Sequence, residues 1–156
     1  MQYREGRTGR VFLLKVEDGD DLLAELKDIV VREDVRVAVM FLLGGVGGAA
    51  VVVGPKRKEI PPEPQWRSFG DGRELLGIGT VYWGDEGPMI HLHASIGRGD
   101  DVLTGCLREK ASVYLVAEVI IMEILDTGAL RRLDHNLGLH VLGFGRGSEP
   151  GEETRE

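Results

Sequence analysis

The sequence predicts an α/β fold of the α+β kind, a sheet carrying one main helix, and three observations point to it. Two neighbouring stretches, residues 73–83 and 88–97, alternate apolar and other side chains, the period of half-buried strands. Only one stretch, residues 20–32, shows the apolar stripe of an amphipathic helix. The 23 glycines fall largely at the ends of apolar runs and in turns, as a sheet with tight corners requires.

Residues 11–17 read as a strand, with Phe12, Leu14 and Val16 on one face. Asp18-Gly19-Asp20-Asp21 follows as a turn, and its carboxylates suit the positive end of a helix. Leu22, Leu23, Leu26, Ile29 and Val30 form the stripe of that helix. Residues 35–43 are apolar and rich in β-branched side chains, so a second strand is expected. Gly44-Gly45-Val46-Gly47-Gly48 lacks the Lys-Ser/Thr of a phosphate-binding loop, and no helical stripe follows it. It predicts a bulge or tight turn before a further strand at 49–54.

Residues 55–72 hold four of the six prolines together with Trp66 and Phe69, and read as a loop pinned by its aromatics. In the next strand Leu75, Val81 and Trp83 share a face with Gly77 and Gly79, opposite Leu76, Ile78, Thr80 and Tyr82. Asp85-Glu86-Gly87 turns it into its successor, which predicts a hairpin. Residues 112–125 are apolar almost throughout, the pattern of a central strand covered on both faces. Glu118 stands in the middle of that run as a surface residue, an ion-pair partner or part of a site. Residues 138–144 read as a short last strand. Residues 1–144 thus form one domain, and the polar, acidic residues 145–156 are expected to be a disordered tail.

Composition narrows the function classes. A chain of 156 residues with 42% hydrophobic side chains has enough apolar material for a core. One cysteine excludes a disulfide framework and points to a reducing compartment. The first residues show no apolar leader, and the longest apolar runs, 37–43 and 113–121, are too short to span a bilayer. The expected location is therefore cytoplasmic, with no membrane partner. A net charge of −7 opposes nonspecific nucleic-acid binding. The basic clusters Lys56-Arg57-Lys58 and Arg131-Arg132 are short and read as solvated surface.

The chemistry-bearing residues lie in the second hairpin strand. Ile90, Leu92, Ala94 and Ile96 point one way, and Met89, His91, His93 and Ser95 the other. Histidines at i and i+2 share a face with Cα atoms about 6.5–7 Å apart, close enough to converge on one metal ion. Gly97-Arg98-Gly99-Asp100-Asp101 can turn the chain so that Cys106, the single cysteine, returns beside them. Two histidines and a cysteine are zinc ligands. Histidines on an open strand face are equally at home as surface residues, and a lone cysteine as a small buried hydrophobe. His135 and His140 lie outside this constellation and read as ordinary.

Taken together, the layout resembles the plant-and-prokaryote conserved (PPC) domain over about residues 9–144. The carriers are Gly19-Asp20-Asp21-Leu22 before the helix, Gly44 to Gly48, Leu75-Leu76-Gly77-Ile78-Gly79-Thr80-Val81, and His91-Leu92-His93-Ala94. Gly105-Cys106-Leu107, Val116-Ala117-Glu118-Val119, Arg131-Arg132-Leu133-Asp134 and Gly138-Leu139 follow in the same order. The resemblance implies a curved, largely antiparallel sheet with one main helix, assembled as a homotrimer. In plants the domain follows AT-hook DNA-binding segments and mediates contacts between nuclear proteins. Stand-alone prokaryotic members are called DNA-binding by analogy with these. This chain has no Arg-Gly-Arg-Pro hook; Gly99-Asp100 and Gly145-Arg146-Gly147 do not qualify.

Prokaryotic members often carry His-x-His followed by Gly-Gly-His-Leu, and some hold a metal there. Here Thr104-Gly105-Cys106-Leu107 replaces the third histidine by another zinc ligand. The resemblance therefore implies zinc at His91, His93 and Cys106. Gly72-Arg73-Glu74-Leu75-Leu76 resembles a plant segment that contacts partner proteins, without its Phe, and marks a candidate partner surface. The expected role is binding or regulatory, with weak association with DNA. An alternative is a zinc-dependent, hydrolase-type enzyme acting on a small substrate, in which Glu118 serves as general base. A second alternative is a metal-free oligomeric scaffold.

Overall fold

The computed structural model describes residues 1–145. In chain order these form β1 (Arg7–Glu17), α1 (Leu22–Arg32), β2 (Val37–Pro55), β3 (Pro64–Phe69) and β4 (Arg73–Gly84). Then come β5 (Gly87–Arg98), β6 (Asp101–Leu125), β7 (Ala129–Asp134) and β8 (Leu139–Phe144). The expected fold class is present: every strand pairing among these residues is antiparallel, with one helix on the sheet. The main sheet runs β1-β6-β5-β4-β2-β3, and an added β6–β2 pairing closes β2, β4, β5 and β6 into a ring. The tail expected at 145–156 lies outside the described residues from 146 onward.

The helix begins where the acidic turn predicts. Asp21 is its N-cap, and its side chain accepts from Leu23 N at 3.2 Å. Leu22, Leu26 and Val30 are fully buried against the sheet. Each such side chain contributes about 1.5–3 kcal/mol of transfer free energy. On the inner face of the sheet, Leu14, Val119, Leu42, Gly77 and Ala94 follow one another across successive strands. Phe12, Ile121, Met40, Gly79, Leu92 and Leu107 form the adjacent row. These rows and the helix stripe make up the core.

Three expectations need correction, and one strand, β7, has no counterpart in the sequence reading. The glycine run is the bulge of the two alternatives, a set of register shifts between Gly44 and Gly48 in the pairing with β6, and what needs correcting is the division into two strands, since β2 is one. A Cβ on Gly44, where φ is +141°, would stand 2.4 Å from Val116 O, so this crossing admits only glycine. The proline-rich loop contains strand β3, which pairs with β2 alone; an edge strand tolerates Pro64 because it has one unpaired side. Residues 129–134 form β7, which pairs with β8 as a separate two-stranded sheet. Finally, β6 is central but not covered on both faces within the chain. Val113, Ala117, Val119 and Ile121 are buried, whereas Tyr114, Leu115 and Ile120 are exposed.

The carboxylate that burial constrains is Glu123, not Glu118. Glu118 is exposed. Glu123 is 7% exposed and accepts from Arg10 N at 3.1 Å, Arg10 Nε at 2.9 Å and Arg10 Nη2 at 2.9 Å. These bonds hold its pKa below the ordinary carboxylate value, against the opposing effect of burial. A depressed folded-state pKa adds stability that is complete above the unfolded pKa and lost as pH falls through the folded value. Glu123→Gln is therefore expected to lower the thermal midpoint by a few degrees at neutral pH and to differ less from wild type in acid. Thermal melts of both proteins from about pH 7 to about pH 3 check this; a pH-independent gap would show that the ionised carboxylate is not what stabilises the pairing.

Candidate metal centre

The β5–β6 hairpin brings the predicted cluster together. Arg98 pairs with Asp101 at its tip, and in that register His93 stands directly opposite Cys106. Leu92, Ala94 and Ile96 are buried on one side of β5, which turns His91 and His93 to the other. On the far side of β6, Val52 of β2 faces Cys106. The approach is close because residue 105 is glycine: a Cβ there would lie 2.2 Å from Val52 O. Glycine thus lets β6 sit tight between β5 and β2 and holds Cys106 at a buried position, 6% exposed.

His91 Nε2 and His93 Nε2 are 3.1 Å apart, with their rings edge to face at 88° and centroids 4.8 Å apart. A ligand atom from each of His91, His93 and Cys106 lies within 4.8 Å of the others. Two nitrogens bound to a tetrahedral zinc at 2.0–2.1 Å stand about 3.3–3.4 Å apart. The imidazole pair is therefore already near ligand spacing. Burial lowers the His91 pKa, and the neighbouring His93, Arg131 and Arg108 lower it further. All four effects favour the neutral imidazole, the form that ligates metal. Arg108 Nε donates to Cys106 Sγ at 3.4 Å, giving the sulfur a cationic neighbour.

Two cavities flank the cluster. One, of about 520 Å³, lies between α1, β5, β6 and the β7–β8 sheet and is lined by His91 and Cys106. The other, of about 360 Å³, is lined by His93 and Cys106 under the proline-rich segment. Glu118 lines neither. It lies twelve positions beyond Cys106 on β6, in register with Lys15 and Leu43. His140 lines the larger cavity, where the sequence reading treated it as ordinary, and Arg108, Arg131 and Lys27 line it too. Their sequence signal is faint, because the β7–β8 hairpin that delivers Arg131 and His140 was not read as a hairpin. Arg73, in the candidate partner segment, is only 9% exposed. It binds Asp71 at 2.7 Å and Asp101 at 2.8 Å, and its guanidinium carbon lies 4.8 Å from the Phe69 ring centroid.

Fold and cluster together define a closed antiparallel-sheet domain with one helix and a His-x-His/Cys group on the outer face of its hairpin. The chain belongs to the Plants and Prokaryotes Conserved domain family (PCC, also abbreviated PPC), whose profile matches residues 3–125. Among solved structures it is similar to a metal-containing protein from Archaeoglobus fulgidus, with 25% identity and a TM-score of 0.80 over 90% of this chain and 98% of that one. It is also similar to a plant- and prokaryote-conserved protein from Pyrococcus horikoshii, with 26% identity and a TM-score of 0.77 over 90% and 97% of the two chains. A candidate DNA-binding protein from Ralstonia eutropha shares the fold at 20% identity, with a TM-score of 0.71 over 85% and 90%. No protein of curated function matches the sequence. No helix among the described residues is long and apolar enough to cross a membrane.

Proposed function

We propose that this is a homotrimeric PPC-domain protein that holds one zinc ion per chain at His91, His93 and Cys106, in a binding or regulatory role. The observation that carries the metal is the convergence of three zinc-type donors within 4.8 Å of one another on adjacent strands. The description of the Archaeoglobus relative as metal-containing supports it. When bound, the ion supplies a Lewis-acid centre and ties β5 to β6. His91 and His93 offer Nε2, Cys106 offers Sγ, and Arg108 orients the sulfur from outside the ligand set. Glu118, the candidate general base, lines neither cavity beside the cluster, and this favours binding over catalysis. Elemental analysis of protein purified without added zinc is expected to give about one zinc per chain, and much less for His91→Ala or Cys106→Ala. A wild type that is metal-free, and stays so after dialysis against zinc, would overturn the reading.

The trimer has its own physical basis. Leu13, Ile120, Phe41 and Ile78 form one cross-strand row on the outer face of the sheet, and His93 stands next in line. Leu13 is 79% exposed and Ile78 53%, and Leu76 in the neighbouring row is 68% exposed. A contiguous apolar face of this kind is what association covers. The family resemblance supplies the number of copies. Sedimentation is expected to give about three times 17.1 kDa; a clean monomer at micromolar concentration contradicts it.

DNA association belongs to this reading only in weak form. Three chains carry three times −7, or −21. In the cluster 56–58, Lys56 is paired with Glu63 and Arg57 with Glu59. Duplex binding is expected to be no tighter than the roughly 10⁻⁴–10⁻⁶ M of nonspecific association. Fluorescence anisotropy with a mixed-sequence duplex at physiological salt measures it, and a nanomolar constant would refute the expectation.

A further inference from the structure

The larger cavity beside the cluster has a charge pattern that the metal does not explain. Three cationic side chains line it: Lys27 from α1, Arg108 from β6 and Arg131 from β7. No carboxylate lines it. Among the described residues none of the three lies within 4.0 Å of an acidic group, although the chain forms ion pairs at Arg7, Arg10, Lys15, Arg32 and elsewhere. In a protein with 26 acidic and 19 basic residues, three cations converging on one acid-free hollow is not what the composition dictates.

Neither arginine has an acidic partner among the described residues, Arg131 being partly buried and Arg108 open to solvent. Arg131 Nη2 reaches only Thr80 Oγ1, at 3.4 Å, and its guanidinium lies 5.1 Å from the Tyr82 ring centroid. Partial burial lowers its pKa, the mark of a charge losing water without gaining an anion. Arg108 uses Nε on the cysteine sulfur, and its two terminal nitrogens have no partner among the described residues. Both arginines line the same hollow as His91, and Arg108 Nε reaches the Cys106 sulfur there. The opposite character is present in the same hollow: Leu23, Met89, Ile90 and Leu139 line it as well. A volume of about 520 Å³ is within the range of small-molecule sites.

We propose that this cavity binds a small organic oxyanion, a carboxylate or phosphate head on a short apolar body, with the head between Arg108 and Arg131, Lys27 adding charge, and the body against Leu23, Met89 and Leu139. Planar guanidiniums match the oxygen geometry of both head groups. The three cations are not among the proposed zinc ligands, but Arg108 also bonds the Cys106 sulfur, so binding is measured both without and with zinc.

The test is isothermal titration of the full chain after metal removal with EDTA and again after loading with zinc. The probes are hexanoate, hexyl phosphate, inorganic phosphate and hexan-1-ol. The tighter of hexanoate and hexyl phosphate identifies the head group, and it is expected to bind at least tenfold tighter than hexan-1-ol and than inorganic phosphate. That binding is expected to persist without zinc. Arg108→Gln and Arg131→Gln should each weaken it about tenfold or more, whereas Lys56→Gln, on the β2–β3 side, should leave it unchanged. Near-UV circular dichroism confirms that the variants fold. Should one fail to, the wild-type melting temperature decides: the favoured anion must raise it and hexan-1-ol must not. Equal binding of anion and alcohol would overturn the proposal. So would binding that requires zinc and survives both arginine substitutions, since the anion would then sit on the metal alone.

Discussion

The pairing of β2 with β6 is the constraint on which the rest of the structure depends. Both strands are long, at 19 and 25 residues, and each bonds to three partners. Without their mutual ladder, the hairpin of β4 and β5 would hang from an open sheet. With it, β2, β4, β5 and β6 close into a ring and Cys106 is fixed between His93 and Val52. Closure requires backbones to approach more nearly than a side chain permits. Gly44 meets the backbone of β6, and Gly105 meets that of β2, each at a place where an added Cβ would fall within 2.4 Å of a carbonyl oxygen. Gly105, one of the glycines that bring the two strands together, also precedes Cys106, the candidate metal ligand. Fold closure and site assembly are therefore one event.

Closure also sorts the side chains of β6 in a way that composition conceals. A run as apolar as residues 112–125 reads as buried on both faces, yet the ring has a filled inside and an open outside. Val119, Ile121 and the Arg10-bound Glu123 point in, and Ile120 and Glu118 point out. The outward apolar residues continue across β1, β2 and β4 until they reach His93. His93 thus stands at the end of this exposed apolar face. In the proposed trimer, water around the cluster would be set by assembly as well as by the fold of one chain.

Much of this was legible in the sequence because period-2 alternation has only two outcomes. Once Leu92, Ala94 and Ile96 are assigned to the core, His91 and His93 must share the other face. A short turn at 97–101 then returns Cys106 alongside. The glycine run was legible as an interruption but not as a crossing, since a bulge and a turn draw on the same residues and differ only in what lies across from them. β3 was hidden because its prolines argue against a ladder, and an edge strand needs only half of one. β8 was legible as the short last strand, but its partner β7 was hidden because a short, mixed segment carries too few positions for a period to show. With it went Arg131 and His140, whose place beside His91 comes from the packing of a separate hairpin and from no local pattern. Glu118 drew attention as the charge in an apolar run, whereas parity puts the buried carboxylate five residues later, at Glu123.

Net charge and local charge part company at the cluster. A chain with an overall charge of −7 repels anions at a distance, and salt screens that repulsion beyond about 8–10 Å. Inside the larger cavity, an anion would meet Lys27, Arg108 and Arg131 at close range and no carboxylate. A bound zinc would add positive charge to the same wall, where burial first and the neighbouring cations next already lower the His91 pKa. The arginines therefore act in two directions. They disfavour protonation of the imidazole, and no carboxylate lining the cavity pairs with them. An acidic residue placed there would satisfy the arginines, but it would also raise the His91 pKa and compete for the metal. The absence of a carboxylate from this cavity is thus consistent with a site that must keep its imidazole neutral and its cations available.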